Sequence, residues 1–142
     1  MSYKFLKDLS KSDIAVEIRA KSAKGIFGES AKAFNGIIVK NPQLIGNSIK
    51  KKFFVRGSTM EDRIFDFFDK LIYYKDVHSI LFSGISIEPG TDKLRRIEVK
   101  AAGSIIDAGK LRPIVDIKAV TMHKLSVVEK KGAFTATVVF DV

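Results

Sequence analysis

A chain of 142 residues has the length of one domain and can bury a core without staples, and with no cysteine it has no disulfide framework, thiolate metal site or cysteine nucleophile. The net charge of +9 invites a polyanionic partner, but it divides into basic segments over residues 1–56 and 93–142 and an acidic one over 57–92. Lys4, Lys7, Asp8, Lys11 and Asp13 interrupt any signal-peptide core, no run approaches the roughly 20 apolar residues of a membrane span, and a cytoplasmic protein is expected.

Tyr3-Lys4-Phe5-Leu6 reads as a short strand. A polar break at Ser10-Lys11-Ser12-Asp13 follows, and Ile14 to Ala20 alternates apolar and charged residues as a half-buried strand does. Asp13 stands at the start of that strand, where a carboxylate is either a turn residue capping local amides or a ligand aimed out of the sheet end. From Ser22 the period changes: Ala23, Ile26, Phe27, Ser30, Phe34 and Ile37 recur at helical spacing, in a helix weakened by Gly25 and Gly28. Asn41-Pro42 closes this region and 43–47 is loop. Ile49 to Val55 is a strand with a basic polar face, and its Lys50-Lys51-Lys52 is the one dense basic cluster in the chain. Such a run is either solvated surface or a contact with nucleic acid or a partner.

Gly57-Ser58-Thr59-Met60-Glu61-Asp62 is the clearest helix start, with Ser58 as the expected N-cap, Glu61 three residues on and carboxylates complementing the helix dipole. Met60, Ile64, Phe67, Phe68, Leu71 and Ile72 form its apolar stripe, and the aromatic crowd of Phe65, Phe67, Phe68, Tyr73 and Tyr74 is expected in the core. His78 to Glu88 and Leu94 to Ala101 read as a hairpin around Pro89-Gly90-Thr91-Asp92. Residues 102–113 read as a connecting loop, and Ile114 to Ile117 feeds a second hairpin. That hairpin runs from Lys118 to Val128, turns at Glu129-Lys130-Lys131-Gly132, and returns over Ala133 to Val142. The sequence stops at Asp141-Val142 without a polar tail, so this end is expected to be fixed inside the fold. The Asp141 side chain and the Val142 carboxylate would then supply two oxygen donors, half of a hard-cation site.

The pattern gives an α+β fold: one domain over 1–142, an antiparallel or mixed β-sheet sandwich with two amphipathic helices and a C-terminal β-hairpin. Chemistry is sparse. His78 and His123 have no partner at zinc spacing, and there is no P-loop, nucleophile elbow or kinase set. Asp66 and Asp69, one helical turn apart, are the remaining carboxylate pair, and at that spacing outward carboxylates are usually solvated. No catalytic residue is assigned and a non-enzyme is expected. A basic RNA-binding module is the alternative reading, and the charge alone does not discriminate it from solvated surface.

Several segments in order resemble the archease family across nearly the whole chain. They are Ser12-Asp13-Ile14-Ala15; Phe27 with Ala31-x-Ala33-x-x-Gly36; Phe65-x-Phe67-Phe68-Asp69-x-Leu71-x-Tyr73; Ile80-Leu81-Phe82-Ser83; Lys118-Ala119-Val120-Thr121; and the terminal apolar run into Asp141-Val142. The resemblance implies an accessory protein that activates the GTP-dependent tRNA-splicing RNA ligase by assisting its guanylylation and repeated turnover. It further implies a calcium-type metal site at Asp13, Asp141 and Val142 and a functional basic position at Lys118. Independently of the resemblance, the basic run Lys50, Lys51 and Lys52 is the candidate contact for a partner or for RNA, and the alternative to a ligase activator is a basic RNA-binding module that delivers or holds tRNA. The chain departs from the family pattern at Ser10-Lys11-Ser12, where His-Thr-Ala is usual, and at Gly28, where Glu is common.

Overall fold

The computed structural model describes residues 2–6, 12–88 and 96–142. Seven strands and two α-helices are present among them: β1 (Ser2–Phe5), β2 (Asp13–Ala20), α1 (Gly25–Ile38), β3 (Ile49–Arg56), α2 (Met60–His78), β4 (Ile80–Ile87), β5 (Arg96–Ile105), β6 (Ala119–Lys130) and β7 (Ala133–Asp141). The strands make two antiparallel sheets, ordered β1-β2-β7-β6 and β3-β5-β4. The α+β architecture with its C-terminal hairpin is as the alternation predicts, and of the antiparallel and mixed forms of the sandwich it is the antiparallel one, in two sheets.

The helices form the layer between the sheets, because α1 packs on β2 and β4 while α2 packs on β6, β3 and β4. Adjacent residues of α2 divide the work. Phe67 meets Phe27 at 5.2 Å and Phe53 at 6.3 Å on the β3 side, and Phe68 meets Phe34 at 6.3 Å and Phe140 at 4.8 Å on the β7 side. These rings are fully or almost fully buried and each contributes on the order of 2 kcal/mol by leaving water. Of the aromatic crowd only Phe67 and Phe68 are core. Phe65 and Tyr74 are half-buried, and Tyr73 is exposed.

Four local expectations change. Thr59, not Ser58, caps α2, its hydroxyl accepting the Asp62 N–H at 3.1 Å. The helix runs through His78 and stops at Ser79, whose left-handed backbone (φ 56°) lets its N–H reach the Lys75 carbonyl. His78 therefore ends a helix instead of opening a strand. Third, β5 continues to Ile105, so its last four residues replace the start of the predicted loop. The second hairpin turn is only Lys131-Gly132, both at positive φ, as a two-residue type I′ turn requires. The Pro89-Gly90-Thr91-Asp92 turn and Ser10-Lys11 lie outside the described residues.

Gly36 of α1 has a steric reason: a Cβ there would run into the Tyr3 hydroxyl, so the bare backbone lets β1 lie against the helix. The segment after β5 is tied down as well. Ile114 N–H donates to the Ile38 carbonyl at 2.8 Å, Leu111 and Ile117 are buried, and Lys75, 7% exposed, spans Asp76 and Asp116, the latter at 2.7 Å.

Candidate functional site

The alternation that buries Val16, Ile18, Val138 and Phe140 on the helix-facing side of the larger sheet places Asp13 and Asp141 on the opposite side. These two residues are direct cross-strand partners: the β2–β7 register begins with Asp13 against Asp141 and continues with Ile14 against Phe140. Directly opposed residues of an antiparallel pair hold their Cβ atoms about 5 Å apart on one face, and two like charges there oppose folding unless a cation joins them. Asp13 is half-buried and Asp141 exposed.

The main chain fixes this end of the sheet from both sides. The Val142 N–H donates to the Ser12 carbonyl at 2.9 Å, and the Lys118 N–H donates to the Asp141 carbonyl at 2.8 Å. Ala119 pairs with Asp141 from the other flank, so the backbone of Lys118, an exposed residue, stands at the entrance of β6 at this same sheet end. The four residues Asp13, Lys118, Asp141 and Val142 thus converge from three strand ends. Thr121 lies on the same face as Asp141, two residue pairs along the β6–β7 ladder, and its hydroxyl is buried with no hydrogen-bond partner among the described residues.

This donor set suits a hard divalent cation, which takes oxygen ligands alone. Two opposed carboxylates, the Val142 main-chain oxygen and an unpartnered hydroxyl nearby are all oxygen donors. No group of three acidic or histidine side chains exists among the described residues. The described residues named here offer fewer than the six to eight oxygens of a full calcium shell.

The other predicted residues lie elsewhere. Lys50, Lys51 and Lys52 are on β3 of the smaller sheet, and strand alternation splits them, Lys50 and Lys52 facing out while the half-buried Lys51 is on the opposite face. Asp66 is a structural group whose two oxygens take the Arg56 N–H at 2.8 Å and the Lys70 ammonium at 3.0 Å, and Asp69 is exposed. His123 is exposed within an irregular stretch of β6 where the pairing shifts between Thr121 and Ser126. Thr121 was within reach of sequence reasoning, because it closes the Lys118-Ala119-Val120-Thr121 run, but its orphaned hydroxyl is visible only in three dimensions.

The model of the archease protein family matches residues 3–142. The chain belongs to the archease family. Among proteins named archease, that of Pyrococcus abyssi is 25% identical over 134 residues, covering 92% of this chain and 93% of the relative, and that of Pyrococcus furiosus is 24% identical over 117 residues, covering 82% of each. Two solved structures share the archease fold. Methanobacterium thermoautotrophicum protein 1598 aligns with a TM-score of 0.76 at 17% identity over 99% of this chain and 98% of its own. An archease from Thermotoga maritima, described as a possible chaperone, aligns at 0.66 with 21% identity over 96% and 97%. In this archease family member no helix among the described residues is long and apolar enough to cross a membrane.

Proposed function

We propose that the chain is an accessory protein of the GTP-dependent RNA ligase that seals tRNA exon halves, and that it works by presenting the Asp13–Asp141–Val142 sheet end to the guanylylation centre of that enzyme. The observation that carries this reading is the register: two carboxylates are placed face to face at a hydrogen-bonded sheet end beside Lys118, in a chain matched to the family over residues 3–142. Two carboxylates opposed at a sheet end are an arrangement that a bound hard cation favours. The description of the Thermotoga relative as a possible chaperone agrees with the coarser part of the reading, a protein that assists another.

Asp13, Asp141 and the Val142 main-chain oxygen would hold a Ca²⁺ ion or another hard divalent cation, which when bound neutralises charge on phosphate oxygens. The chain's own contribution is positioning. The carboxylates ride on two paired strands and need no rearrangement to act together, and Lys118 adds a cation that an incoming phosphate meets at the same end. The accessory protein performs no bond-making step; it lowers the cost of assembling the charged nucleotide in the ligase.

The test is a ligation time course with limiting cognate ligase and excess exon halves. With the accessory protein the ligase is expected to complete many rounds. Product that stops at one equivalent of ligase, with the protein present at any ratio, rules this function out.

A further inference from the structure

Across the molecule from the carboxylate end, the outward face of the β3-β5-β4 sheet carries a groove of about 640 Å³. Its floor is Gly84 and Ala102, which are cross-strand partners and leave the backbone uncovered. Its rim is Lys50 and Lys52 on β3 and Lys100 on β5. Further along the same face the Arg96 guanidinium lies 4.5 Å over the half-buried Phe54 ring.

The lysines on β3 have an ordinary explanation, since β3 is an edge strand and lysine on an edge deters pairing with other chains. Lys100 does not. It sits on the central strand directly opposite Lys52, an arrangement of like charges that disfavours the sheet. Glu98 at 3.2 Å from Lys52 and Glu88 at 3.1 Å from Lys100 relieve it in part, and exposed pairs of this kind contribute little. Lys50 has no ion pair among the described residues. The face therefore holds more positive charge than the fold needs, around a floor of small residues, Gly84, Ala102 and Ser86.

We infer that this groove binds single-stranded RNA, with the phosphates along Lys50, Lys52 and Lys100 and the bases over Gly84 and Ala102 toward the Arg96–Phe54 stack. A ligand that alternates anionic groups with flat apolar rings matches both parts of the surface. An acidic peptide would use the lysines and leave the floor empty. The inference concerns a surface separate from the carboxylate end and stands whether or not the chain activates a ligase.

The test uses the isolated full chain and a fluorescein-labelled 12-nucleotide oligouridylate in an anisotropy titration, with poly-L-glutamate as competitor. Three phosphate contacts give a slope of log affinity on log salt near −2, from about 0.7 per contact. The Lys50→Gln, Lys52→Gln, Lys100→Gln variant is expected to lose at least about tenfold in affinity at 0.1 M salt, while Lys110→Gln, Lys130→Gln, Lys131→Gln, with the same change in net charge outside the groove, keeps it within about twofold. Lys50→Gln alone breaks no ion pair described in the fold and is expected to lose about threefold, which keeps the question answerable if the triple variant unfolds. Equal losses in both triple variants, no loss in either, or competition by poly-L-glutamate as strong as by unlabelled oligouridylate would overturn the inference.

Discussion

Asp141 and Asp13 face each other across the β2–β7 ladder, and this pairing lets function be read apart from stability at single positions. Asp141→Asn keeps the side-chain shape at an exposed position and is expected to change the stability of the metal-free chain by no more than about 0.5 kcal/mol, read as the urea midpoint, while abolishing ligase stimulation. Calcium gives the complementary reading. It is expected to raise the melting temperature of the native chain, by the equivalent of about 2.7 kcal/mol at a hundred times the dissociation constant, and to leave the Asp13→Ala, Asp141→Ala variant unmoved. A shift of equal size in both proteins would place the cation elsewhere. Lys75 is a different kind of residue. Burial opposes its charge, but hydrogen bonds to Asp116 and Asp76 and the charges of both carboxylates outweigh this and raise its pKa. A raised folded value means that the stabilisation is complete below the unfolded lysine value of about 10.4 and is lost as pH rises through the folded one. Lys75→Met is therefore expected to flatten the stability profile above about pH 10, measured by urea unfolding between pH 8 and 11.5.

Among the elements, β4 and β5 depend on one close approach. The pairing shifts between Phe82 and Gly84, and a Cβ on Gly103 would overlap the Leu81 carbonyl oxygen. Gly103→Ala is accordingly expected to cost about 3 kcal/mol by denaturant unfolding. Gly28 is the opposite case, a helix-interior position with open space around the missing Cβ, where Gly28→Ala is expected to gain about 1 kcal/mol. The sequence predicts these elements where pattern and backbone demand agree: alternation marked β2 and the terminal hairpin, and Gly132 marked its turn. It fails where a non-glycine residue takes a left-handed backbone. Ser79 ends α2 and Lys124 bends β6 at φ 56° and 57°, and neither residue type announces it. The same limit hid the irregular stretch of β6, because Met122-His123-Lys124-Leu125 continues to read as strand. The extension of β5 through Ala102, Gly103 and Ser104 was hidden by small residues that resemble a loop and in fact make the groove floor and the tight contact with β4.

At the scale of the whole molecule, the paired helices hold two sheets, each with a different chemical feature. The larger sheet ends in opposed carboxylates, and the smaller carries lysines around a bare floor. The carboxylate end was legible in the sequence because Asp13 opens one strand and Asp141 closes another, and antiparallel pairing of the two puts them together. The groove was only half legible: Lys50-Lys51-Lys52 stood out as a run, but that Lys100 joins it, and that the Lys51 side chain is on the opposite face of the strand, follows only once the register of β3 on β5 is known. An accessory protein with this division would contact the ligase at one end while the other face stays open to RNA. The measurement that bears most directly on this is ligase turnover number with limiting cognate ligase, compared between the native chain and the Asp13→Ala, Asp141→Ala variant after both are shown to be folded. The native chain is expected to sustain many rounds and the variant about one; equal turnover with both would show that the sheet end is not the working site.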